Sequence, residues 1–311
     1  MSVASVLNDE RSGLMRIRLG VVSAETNFGD EEHRNLPRAL DHIQMASALG
    51  VDLLMFAENF PGPFTESNRY EVHEPISDMA RAHGVSVVYG TSIERADAPG
   101  HYNIASVIVG SDGETVGAYL RTHPQGPYIY RSGPQWNFEY VEAEEFPVFD
   151  MPWGKLAISI CSEVHLPEIA RIYALKGAEV LLIPSGLLID ELGYTDNWRT
   201  LVRARAIENH MYTATTVNLM DRAVAQHFAP AALDLPQHGS GLTAGIAMIA
   251  GPERVLAESH EPGILTAELD LDRLRWLRST EEELIVPAPY RTIPGHMAWR
   301  RPNIYGRLTQ T

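Results

Sequence analysis

The chain has 311 residues, with 40 acidic against 25 basic side chains and a formal charge of −15, which argues against a nucleic-acid groove or an anionic membrane surface as its partner. A hydrophobic content of 45% and a charged content of 21% are those of a packed globular protein, not of a disordered one. A single cysteine, Cys161, excludes an intrachain disulfide and a thiolate zinc cluster.

Met1–Leu14 carries no basic stretch followed by an apolar one, so it is read as a tail and not as a secretory signal. Arg16–Ser23 is a first strand, and the apolar spacing of Leu36, Leu40 and Ile43 predicts an amphipathic helix over about His33–Leu49. Val51–Ala57 (VDLLMFA) is a continuous apolar run too short for a helix, as in a strand buried on both faces. A helix over about Ile76–His83 ends at Gly84 and leads into a strand at Val85–Tyr89. Tyr102–Val109 and Thr115–Leu120 form a hairpin around Asp112-Gly113, and Phe146–Phe149 with Lys155–Ile160 form another. A helix (His165–Lys176), a strand (Glu179–Ile183), a helix (Asp196–Asn209) and a strand (Met211–Val217) follow. Thr243–Ala250, Val255–Ala257 and Ile264–Leu269 complete the strands, before a short helix at Leu271–Arg278.

Strands alternating with helices imply helix-covered sheets, an α/β fold. No composition shift, linker or repeat divides the chain, so residues 15–286 are read as one domain, and 287–311 as an arm against a partner subunit. Asp221–Gly241 reads as a surface loop. No apolar run reaches the roughly 18 residues that a membrane span needs, and the protein is read as cytoplasmic.

Three residues at strand ends could carry chemistry. Cys161 sits between the strand Lys155–Ile160 and a helix opening near Pro167, where unpaired backbone N–H groups lower a thiol's pKa and hold an oxyanion. By position alone it is as readily a small buried core thiol. Glu58 ends the run VDLLMFA, on the edge where α/β sheets place ligands, and is either a general base or an ordinary loop carboxylate. Arg121 follows the strand Thr115–Leu120 and is either a surface side chain or a fixed cation for an anionic intermediate.

With those residues in view, the chain resembles the nitrilase-like carbon–nitrogen hydrolases over nearly its whole length. Asp52–Gly62 (DLLMFAENFPG) is similar to the family's strand ending in a glutamate base, and Ile158–Glu168 (ISICSEVHLPE) to its nucleophile motif. Gly177–Ser185 (GAEVLLIPS), Arg203–Asn209 (RARAIEN) and Asn218 also fit its pattern. The resemblance implies an α-β-β-α sandwich that assembles as a homodimer or higher homo-oligomer, acts on a small molecule and needs no cofactor or metal. It implies a Glu, Lys and Cys triad, cleaving an amide more readily than a nitrile. The lysine's place, however, is taken by Arg121, in Tyr119-Leu120-Arg121-Thr122-His123, and only Lys155 and Lys176 are lysines at all.

On this reading Glu58 takes the proton of Cys161, the thiolate attacks the carbonyl, and Arg121 with the Ser162 N–H holds the oxyanion, giving a thioester that water releases. Glu139 is the nearest match to a second family glutamate, although Gln135 fits some alignments better. Ser162, His165 and Ser185 are expected at the substrate, and Glu163 to be braced by Arg203 or Arg205. Val164-His165 stands where N-carbamoyl amino acid hydrolases carry arginines for a substrate carboxylate. The alternative is a catalytically silent homologue that keeps the fold as a binding or assembly module. A glutamine amidotransferase elbow fits poorly, since Ile160 and Ser162 flank the cysteine where such elbows want glycine. No metalloprotease or phosphate-loop motif is present.

Overall fold

The computed structural model describes residues 15–63, 69–124, 139–187, 194–221, 223, 241–243, 245–279 and 300–310. The expected N-terminal tail, most of the expected loop Asp221–Gly241, Gln135 and residues 287–299 of the expected arm lie outside them.

Apolar runs pair into two sheets. The first holds β1 (Arg16–Ser23), β2 (Leu53–Met55), β3 (Ser86–Arg95), β4 (Ala98–Val109), β5 (Thr115–Leu120), the short β6 (Glu139–Tyr140) and β13 (Gly263–Asp270). Its order is β13-β1-β2-β3-β4-β5, with β6 beside β4. The second sheet holds β7 (Phe149–Met151), β8 (Gly154–Ile158), β9 (Val180–Leu187), β10 (Tyr212–Asn218), β11 (Ala247–Ala250) and β12 (Val255–Ser259), in the order β12-β11-β10-β9-β8-β7. In each sheet the central three strands are parallel (β1, β2, β3 and β8, β9, β10), flanked by antiparallel ones.

Helices α1 (Asn35–Ala48) and α2 (His73–His83) cover the first sheet, burying Ala39, Ile43, Ala46, Ile76 and Ala80 against Leu54, Phe56, Val87 and Val109. Helices α3 (Pro167–Leu175) and α4 (Tyr194–Asn209) cover the second, with Ile169, Tyr173, Trp198 and Val202 in its core. Between the sheets Leu19, Leu53, Met55 and Val88 meet Leu156, Ile158, Leu182 and Ala214 in the same cluster. Each fully buried aliphatic side chain of this kind contributes about 1.5–3 kcal/mol. The architecture is the α-β-β-α sandwich, with α5 (Leu271–Ser279) inserting Leu271, Leu274 and Leu277 at one end.

Several element boundaries differ from expectation for physical reasons. The predicted helix over 33–49 is a 3-10 turn (Gly29–Arg34) followed by α1. The helix expected from His165 is likewise split: Cys161–His165 is a 3-10 turn, and Pro167 opens α3 at its first position. Strand β3 runs on to Arg95 and pairs with β4 through Arg95 and Ala98, a hairpin whose turn lacks a strong turn dipeptide. The Asp112-Gly113 hairpin forms as read, with Gly113 at φ +80° and the Gly110 amide on the Glu114 carbonyl at 2.8 Å. Among the described residues of the expected arm, 300–310 form two short 3-10 turns. No helix among the described residues is long and apolar enough to cross a membrane.

Candidate active site

Strand direction brings three predicted residues together. Strands β2 and β3 are parallel, β4 runs against β3, and β5 runs against β4, so β5 points the same way as β2. Glu58, three residues past β2, and Arg121, the first past β5, therefore leave the first sheet by the same edge. Cys161 leaves the second sheet three residues past β8, and the Glu58 amide donates to the Ser185 carbonyl at the end of β9 at 3.2 Å, joining the sheets there.

The three side chains form one hydrogen-bonded cluster. Arg121 Nη1 donates to Glu58 Oε1 at 2.7 Å, with the two side chains only 1% and 2% exposed. Arg121 Nη2 donates to Ser162 Oγ at 2.6 Å, and its Nε to the His123 carbonyl at 3.2 Å. Glu58 and Cys161 lie close enough for each to act on the other's ionisation, and the Gly186 backbone, packed against Glu58 Oε2, acts on both. Burial lifts the Glu58 carboxyl above the usual glutamate range, against the opposing pull of the Arg121 charge and of its hydrogen bonds. The Cys161 thiol is pushed up to about 12, first by burial and then by the Glu58 charge, while Arg121 and the Gly186 and Ser162 amides pull the other way. Burial therefore favours the protonated form of both the Cys161 thiol and the Glu58 carboxyl, with the Arg121 charge opposing it at each.

Backbone geometry presents the thiol. Cys161 sits at φ +53°, a left-handed conformation that costs a non-glycine residue about 1–2 kcal/mol. Glu163 anchors that turn: it accepts from the Ile160 amide at 2.6 Å and, across to the other sheet, from the Thr122 amide at 2.9 Å and the His123 amide at 3.0 Å. The Thr122 hydroxyl at 2.7 Å and the Tyr119 hydroxyl at 2.8 Å complete its shell. One carboxylate therefore fixes the nucleophile turn and the Arg121 segment relative to one another.

This layout matches a known family, whose profile of carbon–nitrogen hydrolases covers residues 18–279. The chain belongs to the carbon–nitrogen hydrolase family. It is 27% identical over 260 residues to the omega-amidase NIT2-A of Xenopus laevis, covering 78% of this chain and 86% of that one. It is 25% identical over 280 residues to an N-carbamoylputrescine amidase of Arabidopsis thaliana, covering 84% and 89%. In fold it is similar to an amidase from Nesterenkonia sp. AN1, at a TM-score of 0.68 and 21% identity, over 95% of this chain and 97% of that one. That structure is of a variant with the acetamide moiety of fluoroacetamide added covalently at the active site cysteine.

Other expectations for this carbon–nitrogen hydrolase are met less evenly. Ser162 is at the cluster, through its hydroxyl to Arg121. Ser185 is fully buried beside it, but its hydroxyl donates back to the Ile183 carbonyl at 3.3 Å and its contribution is the carbonyl that holds Glu58. His165 is exposed, bonded through Nδ1 to the Ser162 carbonyl and edge-on to Trp198, and so abuts the turn rather than the thiol. The backbone of Glu139 lies in β6, in register with His101.

The expected brace of Glu163 is corrected. Neither Arg203 nor Arg205 pairs with it: Arg203 donates to the Gly251 and Glu253 carbonyls, and Arg205 to the Val164 carbonyl at 3.0 Å and to Glu208. Glu163 is instead filled by neutral donors, the Ile160 amide beside it and Tyr119, Thr122 and His123 from the other sheet, which leaves no room for a guanidinium. Arg205 still supports the nucleophile turn through its backbone; Arg203 ties α4 to the β11–β12 turn.

Sequence reading missed Tyr119 and Thr122 as partners of Glu163, and the two glycines that let Glu58 in. A β-carbon at Gly90 would stand 1.7 Å from the Glu58 carbonyl oxygen, and one at Gly186 2.7 Å from Glu58 Oε2. Gly186, just after the Pro-Ser of GAEVLLIPS, was the available signal. Two surface clefts, of about 610 and 630 Å³, lie elsewhere, and neither is lined by Glu58, Arg121 or Cys161. Among the described residues no group of three His, Cys, Asp or Glu is placed to hold a metal ion.

Proposed function

We propose that this protein is an amidase that hydrolyses a non-peptide carbon–nitrogen bond of a small molecule through a thioester on Cys161. The observation that carries the reading is the buried contact of a carboxylate, a guanidinium and a thiol at one sheet edge. The amidases among its relatives support the same reaction class.

The chemistry follows from the site. Glu58 accepts the Cys161 proton as sulfur attacks the amide carbon, so thiolate forms only as the new C–S bond does, and a thiol near 12 needs no free ionisation. The Ser162 N–H, which already faces the sulfur, and the fixed charge of Arg121 stabilise the oxyanion. Glu58 returns its proton to the departing nitrogen as the C–N bond breaks. Water then gives a proton to Glu58 and its oxygen to the acyl carbon, and the C–S bond breaks to release the acid and restore the thiol.

The test is intact-mass spectrometry of Glu58→Gln mixed with a panel of amides and esters. An adduct of acyl mass, lost when Cys161 is also replaced by alanine, is the expected result. No adduct on any substrate, with no turnover by the unaltered enzyme, overturns the reading.

One observation favours a second reading, a catalytically silent homologue. Arg121 engages Glu58, Ser162 and the His123 carbonyl together, and could lock the base in place of assisting it. Arg121→Lys separates the two, because a lysine cannot keep the planar three-way contact. A working arginine predicts a fall in kcat of about a hundredfold on that exchange, and a blocking one predicts hydrolysis where the unaltered chain has none.

A further inference from the structure

Asn59 directly follows Glu58 and is 6% exposed, yet its side-chain oxygen has no hydrogen-bond partner among the described residues. Buried polar atoms are nearly always paired, so an orphan beside a reaction centre asks for an explanation. Its place supplies one. The Asn59 amide nitrogen is 3.6 Å from the point where a β-carbon on Gly186 would stand, and Glu58 Oε2 is 2.7 Å from that same point. The bare Gly186 backbone acts on the ionisation of both Glu58 and Cys161. The Asn59 carboxamide therefore borders, through its nitrogen, the space beside Glu58 Oε2, and a half-turn of its terminal torsion brings the oxygen to the same edge.

We propose that Asn59 selects the leaving group, its side-chain oxygen accepting an N–H from the nitrogen that departs. The inference rests on the amidase reading above and narrows it to amides with at least one hydrogen on that nitrogen. Such a bond satisfies the buried oxygen and turns the nitrogen lone pair toward Glu58, which must protonate it. An ester, a nitrile or an N,N-dialkyl amide has no hydrogen to offer there and leaves the oxygen buried and unmet. Sites built to bond a substrate N–H or O–H reject analogues that lack it far more strongly than apolar pockets reject a size change.

The experiment compares propionamide, N,N-dimethylpropionamide and methyl propionate, which share one acyl-enzyme, on the unaltered enzyme, Asn59→Leu and Asn59→Asp. Asn59→Leu should lower the amide-to-ester ratio of kcat/KM by about 10- to 100-fold, whatever its absolute rates. Asn59→Asp, which keeps an oxygen in place, should hold that ratio to within about threefold of the unaltered enzyme. If Asn59→Leu does not fold, as read by thermal melting, Asn59→Ala serves for the same ratio. An unchanged ratio, or equal losses on amide and ester, overturns the role of Asn59 while leaving the amidase reading intact. An unaltered enzyme that neither turns over nor acylates on any amide overturns both.

Discussion

Two buried glutamates at one sheet edge, Glu58 and Glu163, have opposite surroundings. Glu163 is filled by neutral donors: three backbone amides and the hydroxyls of Tyr119 and Thr122. Glu58 has one guanidinium, with the Cys161 thiol and the Gly186 backbone beside it. A carboxylate whose oxygens are taken by amides and hydroxyls fixed in two segments holds those segments together. One that lies beside an S–H, and whose pKa burial has raised, can receive a proton. Residue type and burial are the same for both; partner chemistry separates the brace from the base.

The largest effect should come from removing the base. Glu58→Gln is close in shape, and loss of general-base catalysis lowers kcat by about 10² to 10⁴. Steady-state hydrolysis alongside a urea unfolding curve distinguishes this from loss of fold. A rate within tenfold of the unaltered enzyme would mean that the two glutamates have been assigned the wrong way round. Glu163→Leu should act on stability first. It strands the buried amides of Ile160, Thr122 and His123 and the Tyr119 hydroxyl, at about 3–5 kcal/mol in total. Glu163→Gln keeps one acceptor oxygen and should cost less. A midpoint in urea unchanged by Glu163→Leu would remove the bracing role.

The pH dependence sharpens the contrast. Glu58 must be ionised to act, and burial raises its pKa from 4.5 in spite of Arg121, so kcat/KM should rise with pH through a value above 4.5. On the proposed mechanism Cys161 attacks from its protonated form, with a pKa of about 12, so no alkaline fall due to the thiol is expected at neutral or mildly basic pH. The stability sign is the reverse. A carboxyl that holds its proton more tightly when folded contributes stability below its unfolded value, and that contribution is lost as pH rises through the folded value. Glu58→Gln has no charge to bury, so its stability relative to the unaltered protein should improve from pH 4 to pH 8. Urea midpoints at several pH values measure it, and a constant difference would contradict a raised Glu58.

How much of this was legible in the sequence depends on the range of the interaction. Runs such as Arg16–Ser23 and Met211–Val217 are close to the β1 and β10 observed, because short stretches rich in β-branched and apolar residues mark a strand locally. Glu58, Arg121 and Cys161 were legible because each follows a strand; strand direction carries Glu58 and Arg121 to one edge of the first sheet, and the packing of the second sheet brings Cys161 to them. The Glu163 shell was not. All but the Ile160 amide among its partners come from residues 119–123, and hydrogen bonds between distant strand ends leave no periodicity to read. The need for Gly90 and Gly186 was hidden for the same reason, being set by where Glu58 lands after the sheets pack. The left-handed Cys161 also escapes, since φ above zero is anticipated at glycine and this turn has none.

The smallest expected effect tests how far the bracing extends. Arg203 and Arg205 lie two residues apart on α4, and the RARAIEN pattern offered no way to choose between them. Arg205 Nε donates to the Val164 carbonyl, so it supports the turn that carries Cys161 and Glu163. Arg203 donates to the Gly251 and Glu253 carbonyls and supports the far edge of the second sheet. Each arginine replaced by alanine should cost a similar stability, about 1–3 kcal/mol, because each removes hydrogen bonds from a charged donor to a carbonyl. Only Arg205→Ala should also lower kcat, by several-fold, as the nucleophile turn loosens; Arg203→Ala should leave kcat within about twofold. Equal losses of kcat from the two would mean that α4 acts on the site as a whole, and that the Val164 carbonyl is not where the support is delivered.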